Sequence, residues 1–185
     1  MPDSLTTNLA ATLHATRTDR GLSVNALAER SGVSRAMIAK IERGDVQPTA
    51  VLLGRLTAAL GLTLSELFSR TEVDTPRLAR VVDQPVWVDP KTGYRRRSVS
   101  PVAGSVQLVE VELPAGAEVS YPSESFALAS HQIWVLDGAL RFLEGEVEHD
   151  LSAGDCLALG TPAPGTYRNS TDRPCRYLVV LERRR

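Results

Sequence analysis

The chain has 185 residues, 43% of them hydrophobic and 23% charged, with a formal net charge of −1. That is the balance of an ordinary globular protein, long enough for one large domain or two small ones that each bury a core. It provides no bulk attraction to nucleic acid, so any DNA contact must rest on a few oriented Arg and Lys side chains. Cys156 and Cys175 form no CxxC metal pattern and are too few for a disulfide framework; they are expected to be reduced thiols on neighbouring strands. No leading apolar segment or long apolar run marks the chain for export or a membrane, so the expected location is cytoplasmic.

Asp3 or Ser4 opens a first helix in which Leu5, Leu9 and Leu13 stack at i, i+4 spacing, and Gly21 breaks it after Arg17 and Arg20. Residues 22–44, LSVNALAERSGVSRAMIAKIERG, then hold two short helices. Ser23 caps the first, Leu27 and Ala28 lie on one of its faces, and Gly32 stops it, because glycine turns tightly at no Cβ cost. Ser34 caps the second. Ile38 and Ile41 point inward, while Arg35, Ala36, Ala39, Lys40 and Arg43 stay outside until Gly44 ends the helix. Two short helices across a glycine turn make a helix-turn-helix unit, whose second helix enters a DNA major groove. Residues 45–48 turn, Thr49 caps a helix carrying Leu52, Leu53, Leu56 and Leu60, and Thr63 opens a last turn with Leu64, Leu67 and Phe68. Five short helices with apolar stripes predict an all-α bundle over residues 1–69.

ALAERSGVSRAMIAKIERG, followed by PTAVLLGRLTAALGLTLSELF, resembles the lambda-repressor-like, or Xre-type, helix-turn-helix domain over about residues 5–69. The resemblance implies that Ser34, Arg35, Ala36 and Lys40 face the major groove, with Arg43 beside them. There an Arg can pair bidentately with guanine and an alanine methyl can touch thymine. Ser23 and Asn25 would hold a phosphate through side chain and backbone N–H groups. Arg17 and Glu42 match an ion pair of the family that ties the first helix to the recognition helix, with phosphate contact a secondary role for Arg17.

From Ser69 to Pro85 the helical period is lost; SRTEVDTPRLARVVDQP reads as a connector, with a brief helix or strand at Leu78–Val82. Residues 70–104 are assigned to this linker and leading strands. Beyond them the period becomes 2: Val109, Val111 and Leu113 alternate with Glu110 and Glu112, and Tyr177 to Leu181 form a closing strand. Asp137-Gly138 is a hairpin signal, and Glu144-Gly145 marks another turn. Many short strands at close spacing predict an all-β barrel over residues 105–185.

LPAGAEV, HQIWVLDGALRFL, LSAGDCLALGTPAPGTYRN and RPCRYLVVL follow the layout of a cupin, a double-stranded β-helix or jelly-roll barrel, from about residue 105 to 182. Metal-binding cupins hold one ion through His-x-His, a Glu and a third His. Those positions fall here on Ser125, Ala127, His131 and Gly165, so three of four ligands are absent and His131 replaces the carboxylate. His14 and His149 lie too far off in the pattern to complete a set. The expectation is therefore no metal, no cofactor and no enzyme activity.

What remains is a barrel with room for a small organic ligand. Alternation makes Tyr121, His131, Ile133, Val135, Cys156 and Tyr167 inward candidates, and small residues at Ser125, Ala127 and Gly165 vacate volume. The candidate ligand-binding set is Tyr121, Ser125, Ala127, His131, Ile133 and Tyr167. Cys156 reads as a small buried hydrophobe, Trp134 as packing or a dimer contact, and Arg183 to Arg185 as a frayed tail. The combined expectation is a transcription regulator that binds a double-stranded operator as a homodimer and senses a small effector without metal. The alternatives are a metal-dependent cupin enzyme with a helix-turn-helix-like domain, and a constitutive repressor whose barrel only dimerises. A bundle that binds protein partners is the third.

Overall fold

Four helix starts share one device, a hydroxyl that accepts a backbone N–H from three residues further on. Ser23 accepts from Ala26, Ser34 from Met37, Thr49 from Leu52 and Thr63 from Glu66. In the computed structural model, which describes residues 4–70, 77–101 and 106–183, these caps open α2 (Val24–Ser31), α3 (Arg35–Glu42), α4 (Ala50–Ala59) and α5 (Leu64–Ser69). The first helix, α1, spans Ser4–Asp19. Asp3 as its opener, and the side chain of Leu5, lie outside the described residues. Glu66 closes a capping box by accepting Thr63 N at 2.8 Å. Gly32 ends α2 at φ 65°, a left-handed turn that any other residue would make at a steric cost.

Leu9, Leu13, Leu27, Ile38, Ile41, Leu53, Leu56, Leu60 and Leu67 fill the space between the five helices, each no more than 1% exposed. At the edge of this core, Arg17 of α1 grips the end of α3. Its Nε donates to Glu42 Oε1 at 2.7 Å, its Nη2 to Glu42 Oε2 at 2.8 Å, and its Nη1 to Leu22 O at 2.8 Å. His14 Nδ1 also lies 2.9 Å from Glu42 Oε2.

The remaining chain forms two facing antiparallel sheets, which is the cupin-like barrel expected. One contains β1 (Val86–Val88), β2 (Arg95–Ser98), β3 (Val106–Leu113), β10 (Cys175–Arg183), β5 (Ala129–Asp137) and β8 (Cys156–Ala158), in that order. The other runs β4 (Glu118–Tyr121), β9 (Gly165–Arg168), β6 (Ala139–Glu144) and β7 (Val147–Ser152). A short helix, α6 (Glu124–Ala127), precedes β5. Val109, Val111 and Leu113 on β3 and Ile133 and Val135 on β5 are buried, as their alternation requires. Among the described residues no helix is long and apolar enough to cross a membrane.

Two local expectations are corrected. Asp137-Gly138 is not a hairpin turn. The strand before it pairs with β10 and β8, and the strand after it pairs with β7 and β9, so this turn carries the chain from one sheet to the other. The true two-residue hairpin is Gly145-Glu146, where Glu144 faces Val147. Leu78 to Val82 forms neither helix nor strand. It leads into a turn with Leu78, Val81 and Val82 all exposed, since among the described residues nothing covers that apolar cluster.

The helical bundle rests directly on the barrel mouth. Ala50 N at the start of α4 donates to Asp89 Oδ1 at 2.7 Å, and Gln47 Nε2 donates to Val88 O at 3.2 Å. The Phe68 and Trp87 rings meet with centroids 5.8 Å apart. Gly54 of α4 lies so close to β4 that a Cβ there would stand 2.7 Å from Tyr121 Cδ1.

The Arg17–Glu42 clasp sets the angle of α3, and its weight can be measured. Burial alone would raise the Glu42 carboxyl, but hydrogen bonds from Arg17 and His14 outweigh it and hold the group below its ordinary value of 4.5. A carboxylate lowered by folding stabilises above its unfolded value, and that contribution disappears as pH falls through the folded value. Glu42→Gln should therefore lose about 3 kcal/mol in urea unfolding at pH 7, the low end for a broken buried pair. The gap should begin to shrink below about pH 4.5 and close as pH falls through the lowered folded value. An undiminished gap at pH 3 would contradict this assignment.

Candidate nucleic-acid interface and effector cavity

The surface of α3 that faces away from the core carries the residues expected to read DNA. Ser34, Arg35, Ala36, Lys40 and Arg43 are all exposed, while Ile38 and Ile41 on the opposite face are buried. Ser23 and Asn25, at the start of α2, open onto the same side; Arg35 Nη1 reaches Asn25 Oδ1 at 3.4 Å. A concave surface lined by Asn25, Gly32, Ser34 and Arg35 runs between the two helices. The cap bonds of Ser23 and Ser34 use each hydroxyl as an acceptor, which leaves its hydrogen available to a phosphate oxygen. Arg43 is drawn back onto Asp45, with Nε 2.8 Å from Oδ2. Arg17 is set apart from this group. Only 11% of its side chain is exposed and its guanidinium is committed to Glu42 and Leu22, so its place is in the scaffold.

The second site is a cavity of about 70 Å³ where the helices meet the barrel. Gly54 and Thr57 of α4, Thr63 and the start of α5 form its roof, and Arg96, Tyr121, His131 and Tyr167 contribute polar groups from below. Of the candidate ligand-binding residues, Tyr121, Ser125, His131 and Tyr167 line it. Ile133 is buried but lies outside the lining, and Ala127 is exposed on α6. The exposure of Ala127 has a local cause: residues 124–127 form a helical turn instead of extending a strand, so strand alternation does not apply there.

The polar part of the lining is mostly neutral hydroxyls. Tyr121, Tyr167 and Tyr177 all have their phenols pushed up, burial being the largest cause, so they remain protonated donors at neutral pH. Tyr167 stacks on Tyr177 at 5.5 Å between centroids with an interplanar angle of 7°. The buried Tyr121 hydroxyl makes no hydrogen bond of normal geometry.

Gly165 does not leave a void, as its small size implied. A Cβ at that position would stand 2.4 Å from Phe126 Cζ, and the Phe126 ring centroid lies 5.1 Å from that of His131. Phenylalanine therefore fills the ground next to the ligand position of metal-binding cupins. His131 Nδ1 donates to Ala129 O at 3.0 Å. Serine, alanine and glycine offer no imidazole or carboxylate at the other three positions, and this donor set does not fit a metal ion.

Sequence reasoning missed Arg96, Tyr94 and the whole roof. Arg96 lies in the run YRRRS, which reads as solvated charge, although strand alternation turns its middle residue inward: Arg96 is 5% exposed. The roof comes from a domain some forty residues earlier, and nothing local signals it.

Residues 13–67 match the helix-turn-helix family model HTH_3. The chain is 26% identical to the HTH-type transcriptional regulator SutR of Escherichia coli (strain K12), over 97% of each chain. It is 27% identical to the HTH-type transcriptional regulator PuuR of the same organism, over 88% of each. A crystal structure of an HTH_3 family transcriptional regulator from Vibrio cholerae is similar across both domains, with a TM-score of 0.80 at 22% identity, covering 99% of this chain and 100% of that one.

The cysteines differ from expectation. Cys156 is exposed on the edge strand β8, opposite Trp134, and so is not an inward residue of the barrel. Cys175 is fully buried on β10, and the two strands flank β5 without pairing with each other. Burial, aided by Asp137, pushes the Cys175 thiol up to about 11. A thiol reagent at pH 8 should thus modify Cys156 in the folded protein and reach Cys175 only after denaturant is added. Peptide mass mapping of the native reaction checks this; label on Cys175 would contradict the placement.

Proposed function

We propose that this chain, which joins an Xre-like HTH_3 domain to a cupin-like β domain, is a transcriptional regulator that adjusts its grip on an operator according to a small molecule held without metal. One observation carries the reading. The cavity is shared between the two domains, so a ligand in it touches α4 and α5 as well as the barrel. No reaction is assigned to the barrel, since His131 alone provides a donor among the positions at which metal-binding cupins hold their ion.

The path to DNA is short. The loop at residues 43–49 joins α3 to α4, so a ligand that changes how α4 sits on β4 changes how α3 is presented. Operator half-sites about one helical turn apart would be read by two copies of the chain. A coupling of about 1–3 kcal/mol alters operator affinity roughly 5- to 150-fold.

Arg35 and Lys40 are proposed to contact DNA in different ways. With an operator selected from genomic DNA, Arg35→Ala is expected to lose about 1–3 kcal/mol, roughly 5- to 150-fold, and to relax preference at one base pair per half-site. Lys40→Ala is expected to weaken all sequences alike and to flatten the salt dependence. Band-shift titrations on the operator and on single-base variants make the comparison. Unchanged affinity in Arg35→Ala would remove α3 from the groove.

A further inference from the structure

Arg96 is a buried charge that DNA reading does not use. It is 5% exposed, in the middle of β2. Its neighbour on the strand has an acidic partner, Arg97 Nη2 lying 2.6 Å from Glu110 Oε2. Among the described residues, Arg96 has none. Its Nη2 donates to the Ser65 hydroxyl of α5, and its Cζ sits 5.0 Å over the Phe68 ring. A guanidinium carries five donors and stays charged, and a charge removed from water is costly unless an anion meets it. Space for an anion is adjacent, because Arg96 lines the cavity along with the Tyr121 hydroxyl, and the neutral Tyr94 phenol that neighbours both brings no negative charge.

We propose that the cavity binds a small organic monocarboxylate, its carboxylate taken by Arg96 and the Tyr121 hydroxyl and its apolar remainder set against Val109, Val179 and Phe126. The proposal rests on the reading of this cavity as an effector site and names the chemistry of the effector. One carboxylate matches one guanidinium. A phosphate dianion would bring a second charge that no buried cation on the lining answers. Size limits the rest: about 70 Å³, at roughly 10–15 Å³ for each water-sized group, admits about five to seven such groups. The ligand also reports to the DNA-binding domain, because Arg96 already touches Ser65 and Phe68 of α5, and Tyr121 packs against Gly54 of α4.

The test is calorimetric titration of the full-length protein with sodium acetate, propionate, butyrate, lactate and pyruvate, alongside propionamide, propylamine and inorganic phosphate. At least one monocarboxylate should bind saturably, and the amide, amine and phosphate should bind at least tenfold more weakly. Arg96→Met should weaken that carboxylate at least tenfold. Should this variant fold poorly, Tyr121→Phe, which removes only the hydroxyl, should still weaken it several-fold. Arg96→Lys, which keeps the charge but loses the fork, should fall between wild type and Arg96→Met. Equal binding of acid and amide, preference for phosphate or amine, no binding by any carboxylate, or indifference to Arg96 and Tyr121 would each overturn the proposal. Operator titrations with the bound carboxylate present separate the two claims: Arg96-dependent binding that leaves operator affinity unchanged upholds the carboxylate site and refutes its role as an effector site.

Discussion

The carboxylate of Asp89 pins the two halves of this molecule together. It is 2% exposed, and one oxygen takes Ala50 N at the first turn of α4, where an unpaired amide and the positive end of the helix dipole both favour an anion. Its other oxygen takes the backbone N–H and the hydroxyl of Thr92 at 2.8 and 2.7 Å, which shapes the turn between β1 and β2. Thr49 satisfies Leu52 N on the same helix end, so cap and pin divide the work. The helix held in this way is the one that directly follows the recognition helix. Whatever moves the β1–β2 turn therefore acts on α4 at its root.

Close approach follows from that pin. With α4 docked by its N-terminus, its middle runs over β4, and only a glycine at position 54 lets the backbone come so near to Tyr121. The Ser125 hydroxyl donates to Gly54 O at 3.4 Å from the other side. The apolar core passes without a break from Leu67 and Phe68 through Trp87 to the strands. What the helices cannot fill is the wedge between α4, α5 and the inward face of the barrel, and that wedge is the cavity. Its position at the seam is a packing consequence, and its polar lining gives it chemistry.

The helical half was legible because its signals are local. Hydroxyl caps at Ser23, Ser34, Thr49 and Thr63 and the glycine at position 32 each act within one turn of the chain, so reading them needs no tertiary knowledge. The β half was legible as alternation and not as connection. Asp137-Gly138 has the composition of a hairpin turn, yet the same two residues serve a crossover between sheets, and pairing partners decide between the two. Arg96 was hidden by company: three consecutive arginines read as a solvated run until the pleat sends the middle one inward. Ala127 failed for the opposite reason, because strand alternation was applied to a turn of helix. Tyr121, His131 and Tyr167 were placed at the cavity correctly, but the helices that close it belong to a distant part of the chain.

The position of Phe126 bears on the proposed coupling between barrel and DNA. In the metal-binding cupins that the sequence resembles, the ligands converge on one point. Here the ring of Phe126 packs against Gly165 and His131, on the ground beside that point. The polar groups still available to a ligand, Arg96 and Tyr121, lie toward the helices, and each already contacts one of them. A ligand drawn to those groups must share its surroundings with Ser65 on one side and Gly54 on the other, so its binding free energy depends on how the bundle is seated. By linkage, the seating then depends on the ligand to the same extent. Filling the barrel's centre and placing the charge at its mouth are therefore two parts of one arrangement, in which binding strength and domain geometry cannot vary independently.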